Sequence, residues 1–158
     1  MKQGTAATGA PDGDLESDIG PQVPAALGVA RGVVRLFDAM GFACLPEVPL
    51  ANGRRLDVLA LGDRGALWAV EIKSSLADFR SDRKWPDYLE FCERLYFAVP
   101  PDFPREILPE DQGLIVADAY DARILRDAPD RSLPAARRKA MTLRFGRLAA
   151  RRLLLSQS

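Results

Sequence analysis

Arg55-Leu56-Asp57-Val58-Leu59-Ala60-Leu61-Gly62-Asp63-Arg64-Gly65-Ala66-Leu67-Trp68-Ala69-Val70-Glu71-Ile72-Lys73 is the stretch that decides the fold. Two apolar runs flank a turn marked by two glycines, which is the pattern of a β-hairpin. Asp63-Arg64-Gly65 fits a three-residue loop with its glycine in the left-handed position. In that register Gly62 faces Ala66 and Asp57 faces Glu71, with Cβ atoms about 5 Å apart on one side of the sheet. Lys73 lies two residues on and shares that side. A four-residue loop from Gly62 to Gly65 is the alternative, and it puts the two carboxylates on opposite faces, because a one-residue slip inverts every side chain. Charges inside apolar strands need a reason, since an unpaired buried carboxylate is costly. One reason is a divalent cation held between Asp57 and Glu71, with Lys73 beside it. The other is a set of ordinary ion pairs at a solvated sheet edge.

The chain contains no histidine. That excludes Ser-His-Asp and Cys-His hydrolases, imidazole acid–base chemistry and His-ligated zinc. Hydrolysis here must use carboxylates and lysine, with a metal expected beside them, and hard oxygen ligands select Mg2+ or Mn2+. A phosphodiester is a suitable substrate, because a cation polarises the phosphate and lowers the pKa of water while a lysine offsets developing charge. Asp57 and Glu71 are the expected metal ligands, with the backbone carbonyl of Ile72 as a third, and Lys73 is expected to assist the nucleophile.

The bulk numbers describe an ordinary globular domain: 158 residues, 47% hydrophobic and 28% charged. Such a length buries roughly two-thirds of its chain surface in a single core. No stretch approaches the ~18 apolar residues of a membrane span, and the start of the chain lacks a secretory pattern. Cys44 and Cys92 are isolated, as expected of free thiols in a reducing cytoplasm. Net charge is zero, but it is segregated. Asp12, Asp14, Glu16 and Asp18 crowd the start, and residues 131–152 carry arginines and a lysine without an acid. Residues 1–21 are expected to form a disordered acidic tail and residues 22–158 the domain. The basic end suits a polyanionic partner, although a charge run alone also fits a solvated helix face.

Helical spacing predicts a first helix over Ala25–Met40, with Pro24 at its start and Gly41 at its end. A strand follows over Phe42–Leu50, and Pro46 and Pro49 make it an edge or a bulged strand. Asn52-Gly53 predicts a tight hairpin into the Asp57 strand, which sets Glu47 near Val58, away from Asp57. Beyond Ser74-Ser75, Asp82–Phe91 reads as a helix with Pro86 in its first turn. Arg94–Val99, Gly113–Asp118 and Ala122–Arg126 read as strands, Pro104–Leu108 as a short helix or turn, and Pro134 opens a long helix to about Leu155. On that helix Arg137, Arg144, Arg147 and Arg151 fall within roughly an 80° arc, placed to touch phosphate without reading sequence.

Asp57 followed fourteen residues later by Glu71-x-Lys73, after a helix and a hairpin, resembles the PD-(D/E)XK nucleases. More specifically, Arg55-Leu56-Asp57-Val58, Val70-Glu71-Ile72-Lys73-Ser74-Ser75, Ala77-Asp78-Phe79-x-x-Asp82-x-Lys84-Trp85, Gly113-Leu114-Ile115-x-Ala117-Asp118-Ala119-Tyr120 and Pro134-Ala135-Ala136-Arg137-Arg138-Lys139-Ala140 are similar to the MmcB family of bacterial DNA-repair proteins. The resemblance spans roughly Ala25 to Arg152. It implies an α/β fold with a restriction-endonuclease-like core, helix–three-stranded meander–helix–strand, extended by extra strands and a C-terminal basic helix. It also implies a metal-dependent DNA endonuclease acting in DNA repair. Lys84 matches a lysine that some members place beside the site, four residues before a tyrosine, here Tyr88. Two features depart from the superfamily: Leu56 stands where proline is common, and the first helix offers only Asp38 where many members carry a glutamate. That leaves two-metal chemistry without a ligand, and water would take its place.

Other residues carry weaker expectations. Ser74 and Ser75 are candidates to donate to phosphate, and Tyr88 and Trp85 to stack on an unpaired base, although such aromatics are more often core. Asp82 is expected to cap the helix after it. Trp68 points to the opposite face from Glu71 and packs. The expected partners are DNA and the proteins of a repair complex, in the cytoplasm and associated with the nucleoid. The alternative reading is a non-catalytic DNA-binding or adaptor module that keeps the nuclease fold.

Overall fold

The computed structural model describes residues 24–158; the expected acidic tail lies outside the described residues. Helix α1 (Ala25–Ala39) is followed by three antiparallel strands, β1 (Ala43–Pro49), β2 (Arg55–Leu61) and β3 (Leu67–Ile72). A short helix α2 (Leu76–Ser81) and a 3-10 segment (Trp85–Phe91) lead into β4 (Arg94–Val99), which lies parallel to β3. A 3-10 turn (Arg105–Ile107), β5 (Gly113–Ala117), β6 (Ala122–Arg126) and the long helix α3 (Ala135–Ser156) complete the chain. The sheet follows chain order from β1 to β6, with β4 and β5 parallel and β5 and β6 antiparallel.

The sheet is covered on both faces. Val29, Val33 and Phe37 of α1 pack on Val58, Ala60, Val70, Tyr96, Ala98 and Ile115. On the other face Leu59, Leu67, Ala69 and Leu95 lie beneath Tyr88 and Phe91 of the 3-10 segment and Met141 and Phe145 of α3. Such double burial explains the near-continuous apolar runs of β4 and β5. Trp68 packs on the α1 side against Phe37 and Phe42, as its parity predicts.

Both hairpins turn on a glycine with positive φ. At the β2–β3 turn Gly62 N donates to Ala66 O at 2.8 Å and Gly65 has φ +88°. The pairs run from Leu61 and Leu67 to Val58 and Val70, so the three-residue register is the one adopted. At the β1–β2 turn Leu50 N donates to Arg54 O at 2.8 Å and Gly53 has φ +83°. That loop is also three residues, Ala51 to Gly53, where the Asn-Gly signal predicts two. The one-residue difference moves Glu47 from Val58 to the position opposite Asp57, between the pairs Pro46–Val58 and Val48–Leu56.

The segment after Lys73 also differs from expectation. Its α-helix is the short α2, started by Ser75, whose Oγ accepts from Asp78 N at 3.1 Å. The expected helix at Asp82–Phe91 is instead a turn followed by 3-10 structure from Trp85. Asp82 Oδ1 accepts from Lys84 N at 2.7 Å, a local bond that competes with helix. Pro86, two residues later, has no N–H to give.

Candidate active site

Strand β2 delivers Asp57, and β3 delivers Glu71, Ile72 and Lys73, at the ends of the strands where the sheet opens below α1. The β2–β3 register, carried one residue beyond Val58–Val70, sets Asp57 opposite Glu71. Ile72 N donates to Asp57 Oδ2 at 2.7 Å, which fixes that carboxylate in place. These four residues line a cavity of about 650 Å³ together with Pro24, Ala26, Leu27 and Ala30 of α1, Pro46 and Glu47 of β1, and Asp78 of α2.

Burial dominates the chemistry. The Glu71 side chain is 4% exposed, and its Oε1 has no hydrogen-bond partner among the described residues. Burial, reinforced by the charge of Asp57, pushes its carboxyl up to about 8. The Asp57 carboxyl is also raised, by burial, against the opposing pull of the Ile72 amide and the Lys73 charge. Lys73 Nζ lies 3.7 Å from Glu71 Oε2 and pairs closely with Asp82 Oδ2. Burial alone would lower the Lys73 ammonium, but the bond to Asp82 and the charge of Glu71 outweigh it and hold it above its ordinary value. Asp82 feels a desolvation penalty in turn, which the Lys73 bond and the Lys84 amide overcome, so its carboxyl is lowered. The result is a fixed ammonium beside two carboxyls that are reluctant to ionise without a counter-charge.

The remaining sequence candidates divide. Ser74 N donates to Asp78 Oδ2 at 3.2 Å and Ser75 caps α2, so both serines serve the local chain. Lys84 is exposed and outside the cavity lining. Tyr88 is 6% exposed and packs in the core, which removes it from stacking on a base. Trp85 likewise packs edge-on to Phe97 at 5.4 Å. The arginine arc of α3 is split. Arg144 donates to Pro49 O at 3.0 Å, and Arg137 lies over the Phe91 ring at 4.4 Å with Glu90 at 3.9 Å. Arg147 and Arg151 line an open groove between α3 and Pro49, and no ion pair or hydrogen bond engages them among the described residues.

Three site residues escape a sequence reading. Asp82 holds Lys73, and its role shows only once α2 folds the chain back. Asp78 joins the lining, and the Ser75-x-x-Asp78 capping pattern is its one visible signal. Glu47 joins it through the β1–β2 register. Among the described residues no three His, Cys, Asp or Glu side chains converge as a ready-made cluster. Both thiols are held up by burial, Cys44 to about 11 and Cys92 to about 12, which fits inert cysteines. No helix among the described residues is long and apolar enough to cross a membrane.

These features define a mixed α/β protein in which a half-buried Asp57, a buried Glu71 and a buried Lys73 meet at strand ends. The family model described as DNA repair protein MmcB-like matches residues 16–158, and the chain belongs to that family. It is also similar to a solved structure described as the SPO1766 protein of unknown function from Silicibacter pomeroyi. That likeness has 47% identity and a TM-score of 0.82, covering 87% of this chain and 94% of the other. No curated protein matches the chain.

Proposed function

We propose that this chain acts in DNA repair as a divalent-metal-dependent endonuclease, on a restriction-endonuclease-like core of the PD-(D/E)XK type. The observation that carries the reading is the Glu71 carboxylate. Its Oε1 is buried without a partner and it faces Asp57 across the hairpin. Native proteins rarely leave such an atom orphaned, and when they do an ion or a catalytic role is a ready explanation. Hard oxygen donors suit Mg2+ or Mn2+: the Asp57 and Glu71 carboxylates would hold the ion, with the Ile72 carbonyl at the same strand end. When bound, the metal supplies Lewis-acid polarisation of the phosphate and a more acidic water.

The chain's own residues do the rest. The Ile72 amide orients Asp57. Asp82 keeps Lys73 charged and places its ammonium near Glu71, where it offsets charge building on the phosphate during in-line attack by water. Arg147 and Arg151, unpaired on α3 among the described residues, would contribute phosphate contacts that position DNA without reading its sequence. Family membership supports a repair role, and the fold order of helix, meander, helix and parallel strand supports the core type.

The test is cleavage of labelled duplex, single-stranded, flap and branched DNAs by wild type and Asp57→Ala, in Mg2+, Mn2+ or EDTA. Metal-dependent cutting that falls by a thousandfold or more in the variant is expected, with thermal melting to check that the variant folds. Cutting at the wild-type rate by Asp57→Ala would remove the site assignment. DNA binding without cutting, equal in both proteins, would make the chain an adaptor on a nuclease fold.

A further inference from the structure

Glu47 is a non-glycine residue with φ +51°, in the middle of a strand. Left-handed backbone at a glutamate is strained and persists only where its surroundings enforce it. Here they do. Arg152 of α3 donates from Nη2 to Glu47 O at 2.6 Å and from Nη1 to Pro46 O, so a guanidinium grips both peptide carbonyls at the kink. The kink coincides with a change of layer. Val58 packs on the α1 side of the sheet, whereas Val48 and Leu56 pack on the α3 side. The Glu47–Asp57 row is where both strands make that crossing, at the edge of the cavity that Asp57, Glu71 and Glu47 line together.

The side chain of Glu47 is 66% exposed, and its nearest charge is Arg55 Nη2 at 3.8 Å. An exposed pair at that distance is weak, and the kink is held by Arg152 through the backbone rather than by this side chain. Across the row, Glu71 Oε1 is buried and unpartnered, on a side chain 4% exposed. The lining thus presents one unsatisfied buried oxygen on Glu71, the Asp57 carboxylate pinned by an amide, the Asp78 carboxylate held by Ser74 N, and the exposed Glu47 carboxylate on the neighbouring strand.

Resting on the metal-site reading above, we propose that Glu47 is a third carboxylate ligand of the divalent cation. It swings from Arg55 into the cavity when the cation arrives. The first helix offers no glutamate, and β1, the strand paired with β2, supplies one instead. Arg152 is then a positioning residue, acting through the Glu47 backbone, and Arg55 competes with the cation for the same carboxylate.

The experiment is Mn2+ titration of the full chain by calorimetry and by electron paramagnetic resonance of free Mn2+, without DNA. Wild type, Glu71→Gln, Glu47→Gln and Arg55→Gln are compared. Charge count tunes such sites strongly, so Glu47→Gln is expected to weaken binding by about tenfold or more. Arg55→Gln is expected to tighten it by a few-fold, the most an exposed ion pair can withhold. Loss of binding in Glu71→Gln reports on the parent site alone. If wild type binds, Glu71→Gln does not, and Glu47→Gln matches wild type, the third ligand is wrong while the site stands. If wild type binds no Mn2+, both readings fall together. Glu47 is exposed, so its variant should fold, and a melting curve checks this.

Discussion

Charge is used in opposite ways in two regions of this molecule. At the cavity, Asp57, Glu71, Lys73 and Asp82 put charge where water is scarce, so each group's state depends on its neighbours. On α3 the charges sit in solvent, and their roles depend on what lies within reach: Arg144 and Arg152 reach the carbonyls of the edge strand β1, Arg138 reaches Glu93 and Gly65, and Arg147 and Arg151 reach nothing described. Burial makes a charge conditional, whereas exposure makes it either a strut or a free contact. The difference can be measured through pH at the first region and through salt at the second.

The largest effect should come from Glu71. Its carboxyl rises from an ordinary 4.5 to about 8 in the folded chain, so the folded state holds its proton where the unfolded chain has released it. The stability that Glu71 carries is complete below pH 4.5 and is lost as pH rises toward 8. A shift of that size corresponds to at most on the order of 5 kcal/mol. Without metal, Glu71→Gln should therefore gain stability over wild type steadily across that window, by several kcal/mol at its top. Urea melts at a series of pH values measure this. A difference between the two proteins that is flat with pH would show that Glu71 is solvated and would undo the buried-site picture.

Asp82→Ala should come next. It strips Lys73, whose side chain is 5% exposed, of its close partner and leaves Glu71 at 3.7 Å as the remaining acid. Breaking a buried pair from one side typically costs about 3–5 kcal/mol. Here the nearby Glu71 offsets part of that, and a loss of about 3 kcal/mol is expected. A denaturant midpoint unchanged from wild type would show that Lys73 has another way out of the site.

How much of this was legible from the residues depends on distance along the chain. The β2–β3 hairpin could be read as a hairpin from its two glycines, but Gly65 fits a three-residue and a four-residue loop alike, and the pairing of Leu61 with Leu67 chooses the first. The sheet strands and α3 were legible from periodicity to within a residue or two. The β1–β2 hairpin was not, because Asn52-Gly53 favours a two-residue loop and the chain closes a three-residue one. The choice is made by the β1 backbone, where Glu47 adopts a conformation that no propensity predicts. Asp82 was hidden for a related reason: it lies nine positions beyond Lys73, and only the fold-back through α2 makes them neighbours. On α3 the wheel showed which arginines share a face but could not show that β1 carbonyls lie under two of them. Helix periodicity reports direction, and partners come from the tertiary fold.

That last gap gives the smallest and most discriminating effect, a comparison of two arginines five residues apart on α3. Arg152 donates to the carbonyls of Pro46 and Glu47, so Arg152→Ala should cost about 1–2 kcal/mol of stability, the worth of charge-assisted bonds on a partly exposed surface. Arg147 has no such partner among the described residues, and Arg147→Ala should leave stability within about 0.5 kcal/mol. DNA binding should rank the same pair in reverse. Anisotropy titrations across a salt series should show Arg147→Ala with a log–log slope shallower by about one, the signature of one lost phosphate contact, and Arg152→Ala with the wild-type slope. If Arg147→Ala keeps the wild-type slope while Arg152→Ala loses it, the struts and the free contacts have been assigned the wrong way round. DNA would then have to approach along the β1 edge, over the kinked Glu47 peptide that Arg152 now holds.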